Sequence, residues 1–148
     1  MGKPLTVYYE MLDFQPATLD LLREHFDLHA FPDPDRADHE TLAKASAVFA
    51  PMGFVFGQER LDRSPELAVV ATPTTGLMHI DQEAVAARGV TICSLHNQQS
   101  FLGSLTPTAE LAWGLVIALT RAMLFAFDSV LEGRWEPKTF GRRSPRML

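Results

Sequence analysis

Residues 69–81 read VVATPTTGLMHID, and they indicate both a fold class and the position of a ligand. The apolar run Leu67–Ala71 is too short for a helix and is typical of a buried strand. It leads into a loop of small hydroxyl residues, a proline and a glycine, which can bring its backbone close to a ligand. Order resumes at Asp81, a good N-cap, with a short helix over 82–88 and Gly89 as its stop. Open α/β sheets bind ligands outside the carboxyl ends of their strands, so this loop is a candidate site; an ordinary strand–loop–helix connection is the alternative.

The composition is that of one soluble globular domain. The chain has 148 residues, of which 47% are hydrophobic and 21% charged. Its formal net charge of −5 argues against nucleic acid and acidic membranes as partners. The single cysteine, Cys93, allows no internal disulfide, so a reducing cytoplasm is the expected compartment. The apolar run Leu111–Leu119 is too short to span a bilayer, and the N-terminus lacks the apolar length of a signal peptide.

Short strands alternate with short helices through the first two-thirds of the chain. We predict strands at Leu5–Tyr9, Asp27–Phe31, Ala47–Ala50, Leu67–Ala71 and Val90–Cys93, and helices over 18–26, 38–44, 59–62 and 82–88. This alternation predicts an α/β fold, with a flavodoxin-like parallel sheet of about five strands and helices on both faces. The loop MGFVFG over 52–57 is apolar, although loops usually face water. It either packs inward or, as we favour, lines a pocket or an interface.

A long apolar helix is predicted after the sheet. Thr106 and the proline after it fit the N-cap and first helical positions, and Glu110 lies in the first turn, where the helix dipole favours an acid. From there apolar residues occupy almost every side, and a helix that is apolar all round has to be buried all round. A five-stranded domain covers only one face, so a second domain or a second chain has to cover the remainder. We expect a sheet domain over 1–105, an interface helix over 106–133 and a linker-like tail over 134–148.

Two runs of the chain carry a family resemblance. The first is ELAVVATPTTGLMHIDQEAVAARGVTICSL over 66–95, with its Gly-Leu-Met-His-Ile-Asp turn and its Arg-Gly-Val helix stop. The second is SFLGSLTPTAELAWGLVIALTR over 100–121, with Thr-Ala-Glu opening the long helix. In this order and at these spacings the chain resembles the D-isomer-specific 2-hydroxyacid dehydrogenases. The second run resembles their phosphoglycerate-dehydrogenase-like branch.

The resemblance implies the N-terminal substrate-domain part of a two-domain, NAD-dependent oxidoreductase acting on 2-hydroxy acids. It implies that Thr75, Gly76 and Leu77 hold the carboxylate of a small 2-oxo or 2-hydroxy acid through backbone N–H groups. It also implies that Thr108 lies on the nicotinamide side of the cofactor. No G-x-G-x-x-G occurs in these 148 residues, so the Rossmann domain and the family's catalytic Arg, Glu and His are expected beyond them. We therefore expect no catalytic residue and no turnover in this chain alone.

Other polar residues near the loop have simpler explanations. His79 and His96 bracket the expected cleft, but two histidines without a third ligand at fixed spacing are weak evidence, and no metal site is predicted. Asp81 is more simply an N-cap than a ligand, and Cys93 is more simply a small core residue than a nucleophile. In the phosphoglycerate branch, the loop after the third strand offers basic side chains to a phosphate. Here that loop has no Lys or Arg before Arg60, which favours an apolar or uncharged substituent on the acid.

Two hypotheses of different classes follow. The first is the substrate-domain portion of the dehydrogenase, binding a 2-oxo or 2-hydroxy acid opposite NAD. The second is a non-catalytic module that dimerises through the helix and binds a small carboxylate or nothing. We expect a homodimer with the helix over 106–131 at the subunit contact, because exposed apolar surface drives association. The choice of acid and of NAD or NADP stays open.

Overall fold

The computed structural model describes residues 2–135 and 138–139. Most of the tail predicted over 134–148 lies outside the described residues. The chain divides into two compact units between Gln98 and Gln99. The first unit holds the predicted strands, and the second begins with the run that leads into the long apolar helix.

Strands and helices alternate in the first unit, close to the predicted positions. The strands are β1 Leu5–Tyr9, β2 Asp27–Phe31, β3 Ala47–Phe49, β4 Val69–Ala71 and β5 Thr91–Cys93. The helices are α1 Pro16–His25, α2 His39–Lys44, α3 Gln58–Asp62 and α4 Gln82–Ala87, with a 3-10 turn over Glu10–Leu12. Helix α1 begins two residues before the predicted start, because Pro16 occupies its first turn, where a missing N–H costs nothing.

The five strands form one parallel sheet in the order β2-β1-β3-β4-β5. This is the flavodoxin-like strand order, so the predicted fold class is confirmed. Strands β3 and β4 are neighbours, with Ala47 opposite Val69 and Phe49 opposite Ala71. Because all strands run the same way, the loops that follow β3 and β4 emerge side by side at the carboxyl edge of the sheet.

The centre of the core is built from the middle residues of three adjacent strands and from two helices. Val7, Val48 and Val70 lie at the middle of β1, β3 and β4 and are at most 1% exposed. Leu61 of α3 and Val85 of α4 are equally buried and belong to the same cluster. Each such side chain contributes about 1.5–3 kcal/mol when fully buried, so this layer fixes the register of the strands.

Two predicted helix starts are confirmed by their capping hydrogen bonds. The Asp38 side chain accepts from Thr41 N–H at 2.8 Å, and the Asp81 side chain accepts from Ala84 N–H at 3.0 Å. Hydrogen bonds from Thr41 hold the pKa of Asp38 below its ordinary value. Gly89 follows α4 with a φ of 69°, as expected for a glycine that stops a helix.

Tyr9, at the end of β1, should make the stability of the fold sensitive to alkali. Its side chain is buried, and burial raises the pKa of Tyr9 from 10.0 to about 12, against the opposing effect of Arg60 and Arg63. The unfolded chain ionises this phenol near its ordinary pKa and the folded chain does not. The free energy of unfolding should therefore fall by about 2–3 kcal/mol as the pH rises through this interval.

Urea denaturation of the wild type and of Tyr9→Phe checks this expectation. The variant should lose less stability than the wild type between about pH 9 and pH 12, because its phenyl ring has no proton to release. Parallel stability curves for the two proteins would contradict it.

The second unit contains α5 Gln99–Leu102, α6 Pro107–Thr120 and α7 Met123–Leu131. A long apolar helix is thus confirmed, but the single run predicted from Thr106 to Leu131 is divided in two. Ala122 adopts the left-handed conformation, with a φ of 51°, and is buried. Neither glycine nor proline marks this break, so the sequence carried no ordinary signal for it. Gly133, with a φ of 75°, ends α7 at the predicted position.

The two longer helices of the second unit expose large apolar side chains on several sides. The residues at least 49% exposed are Leu111, Trp113, Leu115, Val116, Ile117, Leu119, Met123, Leu124, Phe125, Phe127, Val130 and Leu131. The stretch Gln99–Thr120 is long and apolar enough to cross a membrane by length and composition alone. Our prediction that no segment spans a bilayer used only the shorter run over 111–119. The absence of a membrane partner therefore stays a prediction.

Candidate functional site

A cleft of about 490 Å³ opens at the carboxyl edge of the sheet, between the loops that follow β3 and β4. It lies wholly within the first unit. Its walls are formed by Met52, Gly53, Phe54, Val55, Thr74, Thr75, Gly76, Met78 and His79. The apolar loop over 52–57 therefore lines a pocket, as we favoured, although its Phe56 packs inward and is 5% exposed.

A short parallel bridge behind the cleft joins the two loops. Phe56 N–H donates to the His79 carbonyl at 2.7 Å, and Asp81 N–H donates to the Phe56 carbonyl at 2.9 Å. The side chains of Phe56 and Ile80 at this bridge are both buried. The bridge therefore fixes the separation of the two walls of the cleft.

Three consecutive carbonyl groups of the loop after β4 accept hydrogen bonds, two from the segment after β5 and one from within the loop. The Thr74 carbonyl accepts from Leu95 N–H at 3.1 Å. The Thr75 carbonyl accepts from His96 Nδ1 at 3.3 Å, and the Gly76 carbonyl accepts from the Thr74 hydroxyl at 2.8 Å. These hydrogen bonds to its carbonyls therefore fix the position of the loop. Two of them come from the segment that follows β5.

The Thr74 hydroxyl belongs to a chain of hydrogen bonds with one consistent direction. Because it donates to Gly76, it has to accept from the Thr72 hydroxyl, 3.0 Å away. The Thr72 hydroxyl in turn has to accept from His79 Nε2 at 3.1 Å. This direction requires His79 to carry its proton on Nε2. His79, Thr72 and Thr74 thus act together to orient the Gly76 peptide.

The opposite sides of these three peptides offer N–H groups. In a trans peptide the N–H points away from the carbonyl, and the described residues contain no cis peptide. Within residues 2–135, the N–H groups of Thr75, Gly76 and Leu77 donate to no other protein group. Backbone N–H groups without a protein acceptor can donate hydrogen bonds to the oxygen atoms of an anion. The loop therefore offers three backbone N–H donors, and its predicted role in holding a carboxylate stays a prediction.

The residues predicted to form the substrate site occupy different positions. Thr75 and Gly76 are exposed and line the cleft. Leu77 is half-buried, and its side chain packs against the core, so only its backbone is available to a ligand. Thr108 lies in the first turn of α6, in the second unit, and is exposed. Its predicted place beside a cofactor stays a prediction.

The histidines near the cleft have structural roles that the sequence did not reveal. His79 lines the cleft and supports Thr72, whereas His96 holds the Thr75 carbonyl. Among the described residues, no group of three or more His, Cys, Asp or Glu side chains is placed to hold a metal ion. The supporting hydroxyls of Thr72 and Thr74 were also missed, since a loop rich in threonine has many possible hydrogen bonds.

Two other predicted roles can be compared with the structure. Glu110 lies in the first turn of α6, where its carboxylate accepts from the Thr106 hydroxyl at 2.5 Å. This contact agrees with a role at the helix terminus. Cys93 is exposed at the end of β5, so it is not the core residue that we expected. Strand β5 lies at the edge of the sheet, which explains this exposure.

Comparison with known proteins identifies the family. Residues 7–131 match the family model described as D-isomer specific 2-hydroxyacid dehydrogenase, catalytic domain. A glyoxylate reductase from Thermococcus gammatolerans is 26% identical over 124 residues, which are 81% of this chain and 36% of that protein. A D-3-phosphoglycerate dehydrogenase from Sus scrofa is 30% identical over 80 residues, which are 54% of this chain and 14% of that protein. The chain thus spans about a third or less of the length of these relatives.

Solved structures share the fold. A D-lactate dehydrogenase from Aquifex aeolicus, complexed with NAD and lactic acid, superposes with a TM-score of 0.73 at 15% identity, covering 88% of this chain and 38% of that one. An NAD-dependent formate dehydrogenase from Staphylococcus aureus, in complex with NAD, gives a TM-score of 0.67 at 16% identity, covering 97% and 46%. These structures show the fold, and the family match over residues 7–131 shows that the chain belongs to the D-isomer specific 2-hydroxyacid dehydrogenases.

Proposed function

We propose that this chain is the substrate-binding portion of a D-2-hydroxyacid dehydrogenase, and that it binds the carboxylate of a small 2-oxo or 2-hydroxy acid. The backbone N–H groups of Thr75, Gly76 and Leu77 would hold the two carboxylate oxygens. The observation that carries this proposal is that the three carbonyls of this loop are hydrogen-bonded, whereas these N–H groups have no protein acceptor among the described residues. Such groups cost no reorganisation when an anion arrives, because the loop is already fixed.

The family expectation of NAD requires residues that this stretch does not offer. The described residues form one parallel sheet, and its order is flavodoxin-like. The sequence has no glycine-rich dinucleotide loop, and Thr108 by itself offers only a hydroxyl group. These residues do not fit a dinucleotide on their own, so we derive no hydride transfer from them. We propose that NAD is held by another part of the complete enzyme.

On its own, the 148-residue chain should not reduce pyruvate or glyoxylate with NADH or NADPH. Hydride transfer needs the nicotinamide held against the substrate, and nothing in this stretch would hold it. Absorbance of the reduced cofactor should fall no faster than in a matched preparation from a host without the gene. Faster oxidation of the cofactor than in this control would contradict the proposal if Gly76→Val abolishes it. A contaminating host dehydrogenase would not respond to that substitution.

Titration with pyruvate and with oxalate, followed by NMR, tests carboxylate binding. The amide resonances of Thr75, Gly76 and Leu77 should shift at millimolar acid, and those of α1 should not. Acetamide, which is similar in size to acetate but uncharged, should cause no such shifts. Shifts confined to residues outside the cleft, or no shifts at all, would overturn the proposal.

We also propose that the chain forms a homodimer through α6 and α7. The large apolar side chains on these helices are exposed on several sides, and soluble proteins rarely leave a continuous surface of this kind uncovered. A two-fold contact would cover the same patch on each copy. This assembly is compatible with both the dehydrogenase portion and the non-catalytic module that the sequence left open. A cytoplasmic location is proposed for the same protein.

A further inference from the structure

The cleft beside the carboxylate site has an apolar side that the carboxylate does not need. Met52, Val55 and Met78 line it and are 64%, 73% and 98% exposed. Phe54 lines the same side. Large apolar side chains on exposed loops lose hydrophobic stabilisation unless something covers them. All four belong to the cleft that also contains Thr75 and Gly76.

No Lys or Arg side chain is among the residues that line this cleft. Arg60, in α3, is the first Lys or Arg after β3, but its guanidinium already donates to other groups. It donates to the Val55 carbonyl at 3.1 Å, to the Pro34 carbonyl at 3.2 Å and to the Asp35 carboxylate at 2.7 Å. It also lies 5.6 Å from the centre of the Phe54 ring. These contacts hold the guanidinium beside Asp35, and Arg60 does not line the cleft, so a second anionic group on the substrate would meet no Lys or Arg side chain there.

We infer that the cleft selects 2-oxo or 2-hydroxy acids with a branched aliphatic or aromatic substituent, an inference that rests on the proposed carboxylate site. The carboxylate would bind at Thr75–Leu77, and the substituent would cover Phe54, Val55 and Met78. The cleft volume of about 490 Å³ is ample for a side chain of four to seven carbons. Glyoxylate and pyruvate would leave this apolar side exposed, and a phosphorylated acid would bring a charge to it.

The affinity of the full chain for three 2-oxo acids tests this inference. Amide shifts at Thr75–Leu77 measure each dissociation constant. We expect 4-methyl-2-oxopentanoate to bind about tenfold more tightly than pyruvate, because three additional carbons are partly removed from water. 3-Phosphohydroxypyruvate should bind no more tightly than pyruvate.

Variants assign the preference to the cleft. Val55→Ser and Met78→Ser should each reduce the ratio between the two affinities, because each removes apolar surface that the larger substituent would cover. Because both side chains are exposed, the substitutions should change the stability of the fold little. Leu21→Ser is the matched control, since Leu21 is 56% exposed on α1 and does not line the cleft. This control should keep the wild-type ratio.

The possible outcomes distinguish a failure of the apolar selection from a failure of the proposed carboxylate site. Equal affinities for the branched acid and pyruvate, or a preference for the phosphorylated acid, would overturn the apolar selection and leave the carboxylate site in place. A preference that survives in both cleft variants would overturn it too. If none of the acids shifts the amides at Thr75–Leu77, the carboxylate site itself is wrong, and the inference falls with it.

Discussion

Replacing Gly76 with valine is expected to abolish carboxylate binding without unfolding the protein. A Cβ at this position would meet no protein atom within 4 Å, and Gly76 does not have a positive φ. The backbone therefore tolerates a side chain, and the fold does not require glycine here. A ligand does require it, because a branched side chain would occupy the space over the Gly76 and Leu77 N–H groups. The affinity for pyruvate should fall at least tenfold, since two charge-assisted hydrogen bonds are lost.

The substitution has a graded series and a control. Gly76→Ala adds a single methyl group and should weaken binding less than valine does. Ala86→Val adds the two γ-methyl groups of valine at an exposed position of α4, away from the cleft, and should bind pyruvate like the wild type. Thermal unfolding should show all three variants folded. Unchanged affinity in a folded Gly76→Val protein would rule out the backbone site.

Polar substitutions on α6 are expected to dissociate the homodimer. Trp113 and Leu119 are 68% and 75% exposed, so replacing either with serine should change the stability of the single subunit little. Burying such a side chain contributes about 1.5–3 kcal/mol, and a two-fold contact loses it from both copies. The dimer dissociation constant should therefore rise about a hundredfold or more for each variant that lies at the contact.

Light scattering and sedimentation across micromolar concentrations measure this change. Leu21→Ser, on an exposed position of α1, should leave the dimer intact. A wild-type chain that stays monomeric at micromolar concentration would contradict the proposed assembly. So would a dimer that neither substitution weakens. Binding of the monomer to lipid vesicles would instead assign this surface to a membrane, as the length of Gln99–Thr120 allows.

Much of the fold followed from local patterns in the sequence. Strands of three to five residues with buried centres, such as β1 and β4, appear as short apolar runs between turn signals. Asp38, Asp81 and Gly89 act within three residues of their own position, so their capping roles are predictable from sequence. The break at Ala122 was not predictable, because alanine favours a continuous helix and its conformation depends on packing.

The candidate site was predicted only in part, for a related physical reason. The loop over 72–76 was predictable as a candidate site from its glycine, its threonines and its position after a strand. What makes its N–H groups available is a set of contacts with Leu95 and His96, about twenty residues further along the chain. The apolar wall over 52–55 was recognised as unusual, but its place opposite Met78 depends on the pairing of β3 with β4.

A crystal structure of the chain with oxalate tests the central claim most directly, since it locates the carboxylate. We expect carboxylate oxygens about 2.7–3.1 Å from the backbone nitrogens of Gly76 and Leu77, with the His79–Thr72–Thr74 hydrogen bonds unchanged. Oxalate bound instead by the Arg60 guanidinium, with the loop over 75–77 empty, would contradict it.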